Sequence, residues 1–308
     1  MIVFCGYANA DMTVGVPVLP GAGERVQATR IDRGDGGMGA NAAVAAARMG
    51  AGVRFAGVVG DDPMSEVFLA RLREDGVDTS WTARGGTLTT SVILLTPDGE
   101  RSIISQDDEL TAAHVAEVAA RVGGDDLLYL DGYRFPEAAD VLGGVRAVVD
   151  LDGAETAAAA RAALRAAAHV IVGREQAARL IGDDAALAAA AEAAGSHLIV
   201  TAGPLGWTLF APDGERYDGR AISVETVDAT GAGDCFAGTY CAEIDRGTAP
   251  VEAARFAAVA AGLSCTRPGA RDGSPTRAAV RAYLDGSTGP TPPGPREAAE
   301  GSEERDPV

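Results

Sequence analysis

Two short stretches of the chain carry residue types that could do chemistry. "VDATGAGDCFAG", residues 227–238, sets Asp228 and Asp234 around a glycine-alanine loop at the mouth of an apolar, Ala-rich run. If that run is a helix, its first turn has unpaired backbone N–H groups and the positive end of the helix dipole, which together favour an anion. Gly231 and Gly233 let the backbone approach a phosphate with no Cβ in the way, and Ala232 stands between them. Asp234 is then a carboxylate beside an anion-binding terminus. It could be a simple N-cap or first-turn acid. A carboxylate beside a bound phosphate can also take the proton from a hydroxyl attacking that phosphate. The second reading is favoured: the loop holds a phosphoryl group and Asp234 activates its acceptor.

The other stretch is "GDGGMG", residues 34–39, followed by the helical "GANAAVAAARMG". It formally matches GxGxxG. A dinucleotide fingerprint, however, must follow a buried strand within a βαβ unit. Here the preceding "VQATRIDR" is polar, and the first buried strand lies about thirty residues earlier. A glycine loop whose backbone approaches a ligand fits better, with Asn41 in the first helical turn offering both a donor and an acceptor. A turn that serves helix packing alone is the plainer alternative. No GxxxxGK[ST] P-loop occurs.

Bulk properties narrow the field. The chain has 308 residues, enough for one large α/β domain with a substantial core. Its formal charge of −18 opposes a nucleic-acid partner and an anionic membrane surface, while leaving a small anionic substrate open. Cys5, Cys235, Cys241 and Cys265 show no CxxC or zinc spacing and read as reduced core thiols. The N-terminus lacks the features of a signal peptide, and no apolar run is long enough to span a membrane, so a cytoplasmic location is expected. His114, His169 and His197 are scattered and suggest no metal cluster, and Trp81 and Trp207 read as filling core or lid space.

The elements that must position these stretches are legible as an alternation. "IVFCGYA", "VRFAGVVG", "DLLYLDG", "AVVDLD", "HVIVG" and "HLIVTAG" read as buried strands, most followed by Ala-rich helices. That pattern predicts a mostly parallel central sheet flanked by helices. Residues 12–33 and 87–106 break the rhythm with "ERVQATRI", "TTSVILLTP" and "ERSIISQ", the last two joined by Asp98 and Gly99. They predict half-exposed strands of a small separate sheet, a lid. Residues 286–308, rich in Pro, Gly and Glu, predict a disordered tail behind a domain spanning 1–285.

"GGMGANAAVAAARMG" and "VDATGAGDCFAG", in this order and about 190 residues apart, together resemble the two signatures of the ribokinase-like (PfkB) carbohydrate kinases. "GYANAD", "TAGPLGWTLF" and "CTRPGARDGSPT" extend the resemblance over roughly residues 1–285, and some features resemble sulfofructose kinases. The resemblance implies an α/β Rossmann-like ribokinase fold with a β lid, and phosphorylation of a sugar hydroxyl by ATP with Mg2+. A homodimer formed through the lid is also implied. Asp234 would be the general base, with Gly231, Ala232 and Gly233 as the anion hole. Asn9, Asp11, Gly36, Gly37 and Asn41 would face the acceptor. Thr201, Gly203 and Gly206 would border the nucleotide, together with Gly231 and Gly233. Asp228 and Thr230, with the "RPGAR" loop, would resemble a monovalent-cation site for K+.

One departure stands out. Where many relatives carry NxxE, this chain reads "GREQ", with Gly173 and Gln176 in place of the Asn and the Glu. Asp150 or Asp152, at the end of "AVVDLD", could help organise magnesium, although strand-end carboxylates are commonly just solvated. Asp131 and Arg134 in "LDGYRF" follow a strand, where open α/β sheets bind ligands, and either contact the acceptor or form a salt bridge. The amides and carboxylates of Asn9, Asp11 and Asn41 suit a polyol better than a flat base. Arg25, Arg30, Arg33, Arg101 and Arg134 near the acceptor would suit a ketose or furanose carrying an anionic group. A nucleoside kinase of the same fold, and a catalytically weak sensor of sugar or nucleotide, are the alternatives.

Overall fold

A computed structural model describes residues 1–97, 101–106, 110–133 and 139–286. The central sheet has eight strands: β1 (Ile2–Cys5), β4 (Val53–Phe55), β7 (Leu127–Asp131), β8 (Ala147–Asp150), β9 (His169–Gly173), β10 (His197–Thr201), β11 (Trp207–Phe210) and β12 (Arg216–Gly219). Their order is β12-β11-β10-β9-β8-β7-β1-β4. The six strands from β4 to β10 run parallel, while β11 and β12 extend the sheet as an antiparallel hairpin. The parallel strands are nearly continuous apolar runs because both of their faces are covered.

Successive residues face opposite layers, as the pleat requires. Ile2, Phe4, Leu127 and Tyr129 pack on one side against α1 (Met38–Arg48), α2 (Pro63–Glu74), α7 (Ala232–Asp245) and α8 (Pro250–Ser264). Val3, Cys5, Leu128 and Leu130 pack on the other against α3 (Ala112–Arg121), α4 (Ala157–Ala166), α5 (Arg174–Leu180) and α6 (Asp184–Ala194). α9 (Arg277–Leu284) closes the chain's described part, with Val280 buried. Among the described residues no helix is long and apolar enough to cross a membrane. The tail expected beyond Gly286 lies outside the described residues.

A separate four-stranded sheet has the order β3-β2-β5-β6, built from β2 (Asn9–Gly15), β3 (Arg30–Gly36), β5 (Thr89–Leu95) and β6 (Arg101–Ser105). β5 and β6 fall where "TTSVILL" and "RSIIS" alternate; the expected turn at Asp98 and Gly99 is outside the described residues. The strand expected over "ERVQATRI" is displaced: β3 instead runs through "RIDRGDG", and residues up to Thr29 form the connection. Pairing decides this. β2 offers a full-length partner from Asn9 to Gly15, and the glycine-rich segment matches it residue for residue, from Asn9–Gly36 to Gly15–Arg30. Since β3 belongs to this small sheet, the glycines after it do not form a dinucleotide fingerprint of the central sheet.

Candidate active site

Asn9, Asp11, Gly36, Asn41 and Asp234, among the predicted site residues, come together where the small sheet meets α1 and α7. β1 lies between β4 and β7, so successive strands depart from it in opposite directions and a crevice opens beyond its end. α1 enters there because glycines allow it to. Gly37 takes a positive φ of 93° before the helix, and a Cβ at Gly39 would stand 2.7 Å from the Gly6 Cα.

α7 enters the same crevice from the other side. Gly231, with φ 74°, precedes the helix and makes no side-chain cap; a Cβ on it would stand 2.7 Å from the Ala270 carbonyl oxygen. Gly231 and Ala232 are half-buried and Gly233 is exposed, so this turn faces the crevice with no large side chain. Asp234 lies in the first helical turn. Its Oδ2 accepts a hydrogen bond of 2.8 Å from Nδ2 of Asn41, on α1, so this side chain is engaged with another helix. Desolvation raises its pKa to about 6; the Asn41 hydrogen bond opposes the rise, Asp152 adds to it, Arg271 opposes it and Asp11 adds to it.

The lid supplies the facing wall. Asn9, almost fully buried, donates from Nδ2 to Asp11 Oδ1 at 2.9 Å and to Ser91 Oγ at 2.6 Å. Burial raises the Asp11 pKa, against the Asn9 hydrogen bond and the Arg271 charge. Gly36 lies against both: its Cβ would collide with Asn9 Oδ1 and Asp11 Oδ2. Ser91 pairs with Asp11 across β2–β5, and its hydroxyl is 3.3 Å from that of Ser105 on β6. These two serines were missed from sequence, although the strand register would have found them once β2 and β5 were paired.

Arg271 was expected only near a cation loop. It is instead buried beside Asn41, with Nε donating to Asn41 Oδ1 at 2.8 Å and a terminal nitrogen donating to the Gly36 carbonyl at 2.8 Å. Burial draws its pKa down to about 10, while Asp35, Asp75, Asp11 and Asp234 hold it charged. An arginine in a Gly/Pro loop carries no sequence signal for this placement.

Other predicted residues are more dispersed. Asp131 ends β7, buried, and its Oδ2 accepts the Tyr7 amide; Arg134 lies outside the described residues. Thr201 ends β10, and Gly203 and Gly206 flank the short turn into β11. Asp228 ties two loops together, accepting from the Thr230 amide through Oδ1 and the Gly269 amide through Oδ2, each at 2.9 Å. Of the lid arginines, Arg33 is opposite Met12, on the face away from Asp11. Arg30 shares the Asp11 face but is at the far end of β3, 3.2 Å from Asp32. The side chain of Arg101 is outside the described residues.

The "GREQ" stretch has a structural use. Gln176 donates to the Leu151 and Ala154 carbonyls, shaping the loop that carries Asp152, and the Gly173 amide holds the Asp152 carboxylate. Asp150 and Asp152 both have raised pKa values because burial disfavours their charge, and their proximity adds to this at Asp150. Among the described residues no group of three His, Cys, Asp or Glu could hold a metal, and the four cysteines are free thiols.

The chain matches the model of the pfkB family carbohydrate kinases over residues 1–277. It is 30% identical over 295 residues to a ribokinase of Bacillus subtilis, across 92% of this chain and 99% of that protein. In fold it is similar to an Arabidopsis thaliana ribokinase complexed with ribose and ATP, with a TM-score of 0.79, 24% identity and coverage of 92% and 98% of the two chains. It is equally similar to a Burkholderia thailandensis nucleoside kinase in complex with inosine, with a TM-score of 0.80, 19% identity and coverage of 93% and 96%. The chain belongs to the pfkB family of carbohydrate kinases and is an ATP-dependent enzyme of that class.

Proposed function

We propose that this kinase phosphorylates a hydroxyl of a small ketose or furanose sugar, with Asp234 as general base and the Gly231–Asp234 turn as anion hole. The observation that carries the reading is the pairing of Asp234 with Asn41 beneath the Asn9–Asp11–Ser91 wall. The wall offers acceptors and donors at fixed places, as a polyol requires. Asp234, with a pKa near 6, is ionised at neutral pH and can take the hydroxyl proton while the helix amides receive the phosphoryl charge. Catalysis of this kind is mostly positioning and electrostatics, so closure of the lid over the acceptor is part of the reading. Magnesium bound with ATP would neutralise charge on the phosphate oxygens; Asp150, buried at the end of β8, and Asp152, exposed two residues on, are the carboxylates that would meet a cation at this edge.

Three further assignments belong to the same reading. Potassium would sit by the Asp228–Thr230 loop and its Gly269 partner. Two copies would pair through the lid, whose Ile31, Ile103 and Ile104 are exposed. Four free thiols fit a reducing compartment such as the cytoplasm.

A nucleoside acceptor is the second reading, because Tyr133, half exposed, lies tilted against Tyr7 with ring centroids 5.4 Å apart and could meet a base. The test is ATP consumption across ketoses, aldoses, sugar acids, sulfosugars and nucleosides, with Asp234→Asn as control. A nucleoside used at least about tenfold more efficiently than every sugar replaces the first reading with the second.

A further inference from the structure

Asn41 can brace the base only if its side-chain amide points the right way. A flipped amide would set its oxygen against the Asp234 carboxylate, repelling the anion and accepting a hydrogen bond from the protonated acid. Either effect would spoil a base. Something must therefore decide the orientation, and the residue on the far side of Asn41 is Arg271. A guanidinium only donates, so the Asn41 atom that meets Nε at 2.8 Å must be the oxygen, and the nitrogen is left for Asp234.

We infer that Arg271 is a positioning residue for phosphoryl transfer: it locks the Asn41 amide in the orientation that donates to Asp234, and ties that lock to the root of the lid. The inference rests on the reading of Asp234 as general base. The tie to the lid is the bond from Arg271 to the Gly36 carbonyl, where β3 passes into α1.

Arg271 is itself held in place. Its guanidinium lies 4.7 Å over the Phe68 ring, and one terminal nitrogen is 3.7 Å from Asp35. Arg48 on α1 donates to the carbonyls of Arg271 and Ser274, fixing the loop to the same helix that carries Asn41. The base thus depends on a chain of three side chains from three segments, Arg271 to Asn41 to Asp234. Other ionisable groups act on or feel Asp234: Asp11 on β2, Tyr129 on β7, Tyr133 after it, Asp150 on β8, Asp152 after it, and Cys235 on α7 itself. Arg271 is the cation in this set.

The test follows the Asp234 carboxylate directly and needs no acceptor. Protein labelled with 13Cγ-aspartate is titrated by NMR, and the Asp234 signal is assigned by its loss in Asp234→Asn. Arg271→Met should raise the Asp234 titration by about one pH unit or more, because donor and charge are both lost. Arg271→Lys keeps a cation near Asp35 but lacks the fork that reaches Asn41 and Gly36 together, so it should raise the titration too, by less. In an Asn41→Ala background, Arg271→Lys should move it no further. If Arg271→Met does not fold, the Lys and Ala variants alone complete the cycle. The inference is overturned if Asp234 titrates in Arg271→Lys as in the native chain, or if that variant shifts it equally with and without the Asn41 side chain. Turnover of D-ribose, D-fructose and adenosine separates the two ideas. An Asp234→Asn enzyme that phosphorylates any of them at a near-native rate removes the general-base reading, whereas a strongly slowed Asp234→Asn with an unmoved titration in the Arg271 variants removes the brace alone.

Discussion

Gly238 on α7 lies against Ala42 on α1, and a Cβ at Gly238 would stand 2.8 Å from the Ala42 carbonyl carbon and closer still to its oxygen. Asn41 precedes Ala42 in the chain, and Asp234 is one turn before Gly238. The crossing of the two helices therefore sets the distance between Asp234 and Asn41. Bulk at the crossing must be felt at the site.

Gly238→Ala is expected to do both kinds of damage. Overpacking should cost about 1–3 kcal/mol, read as a lower melting temperature. The widened crossing should also lengthen the Asn41–Asp234 bond and reduce kcat by more than the loss of folded enzyme explains. Unchanged melting and turnover would show that the helices part freely and that this contact does not set the site.

The acid limb of activity should report Asp234. Its carboxyl is pushed up to about 6, with burial the largest cause. A general base must be deprotonated, so kcat/KM should be low below this value, rise through it and level off above it. Asp234→Asn should remove the limb and lower turnover by roughly 10²–10⁴-fold. A rate independent of pH from 5 to 8 in the native enzyme would be incompatible with this assignment.

Much of this arrangement was legible from residue types alone. The parallel strands could be read because buried strands are apolar throughout, and the start of α7 because Gly231 and Gly233 mark it. β3 was misplaced because its polar, glycine-rich residues carry no strand signal until β2 pairs with them. Arg271 and Ser91 were out of reach for a related reason: each meets the site through a contact across more than eighty residues. Spacing along the chain says nothing about such contacts. The side-chain network is a property of the assembled fold, whereas the glycine turn before α7 is a local property of the backbone.

Potassium dependence should follow from the Asp228 loops. Both Asp228 oxygens accept backbone amides, from Thr230 and Gly269, so the carboxylate already joins the turn before α7 to the loop leading to Arg271. A cation added there would neutralise Asp228 and stiffen the same turn. Activity in potassium should exceed activity in tetramethylammonium at equal ionic strength, and Asp228→Ala should abolish the difference. Equal rates in the two salts would leave Asp228 as a loop tie only.

The acceptor should be governed by Asp11. Its carboxylate receives Asn9 on one oxygen, lies against Gly36, and shares its face of the lid sheet with Ser91. A sugar hydroxyl donating to this carboxylate would make a charge-assisted hydrogen bond, and losing such a bond costs about 1.5–3 kcal/mol. Asp11→Ala should therefore raise the acceptor KM by roughly 10–100-fold while changing the ATP KM by less than about twofold. kcat should fall less than the acceptor KM rises, because Asp234 and the glycine turn before it belong to the start of α7 and are untouched. Asn9→Ala should follow the same pattern more weakly, since Asp11 would keep its charge and lose only its orientation. If both variants instead raise the ATP KM and spare the acceptor, the lid wall faces the nucleotide and the two subsites must be exchanged.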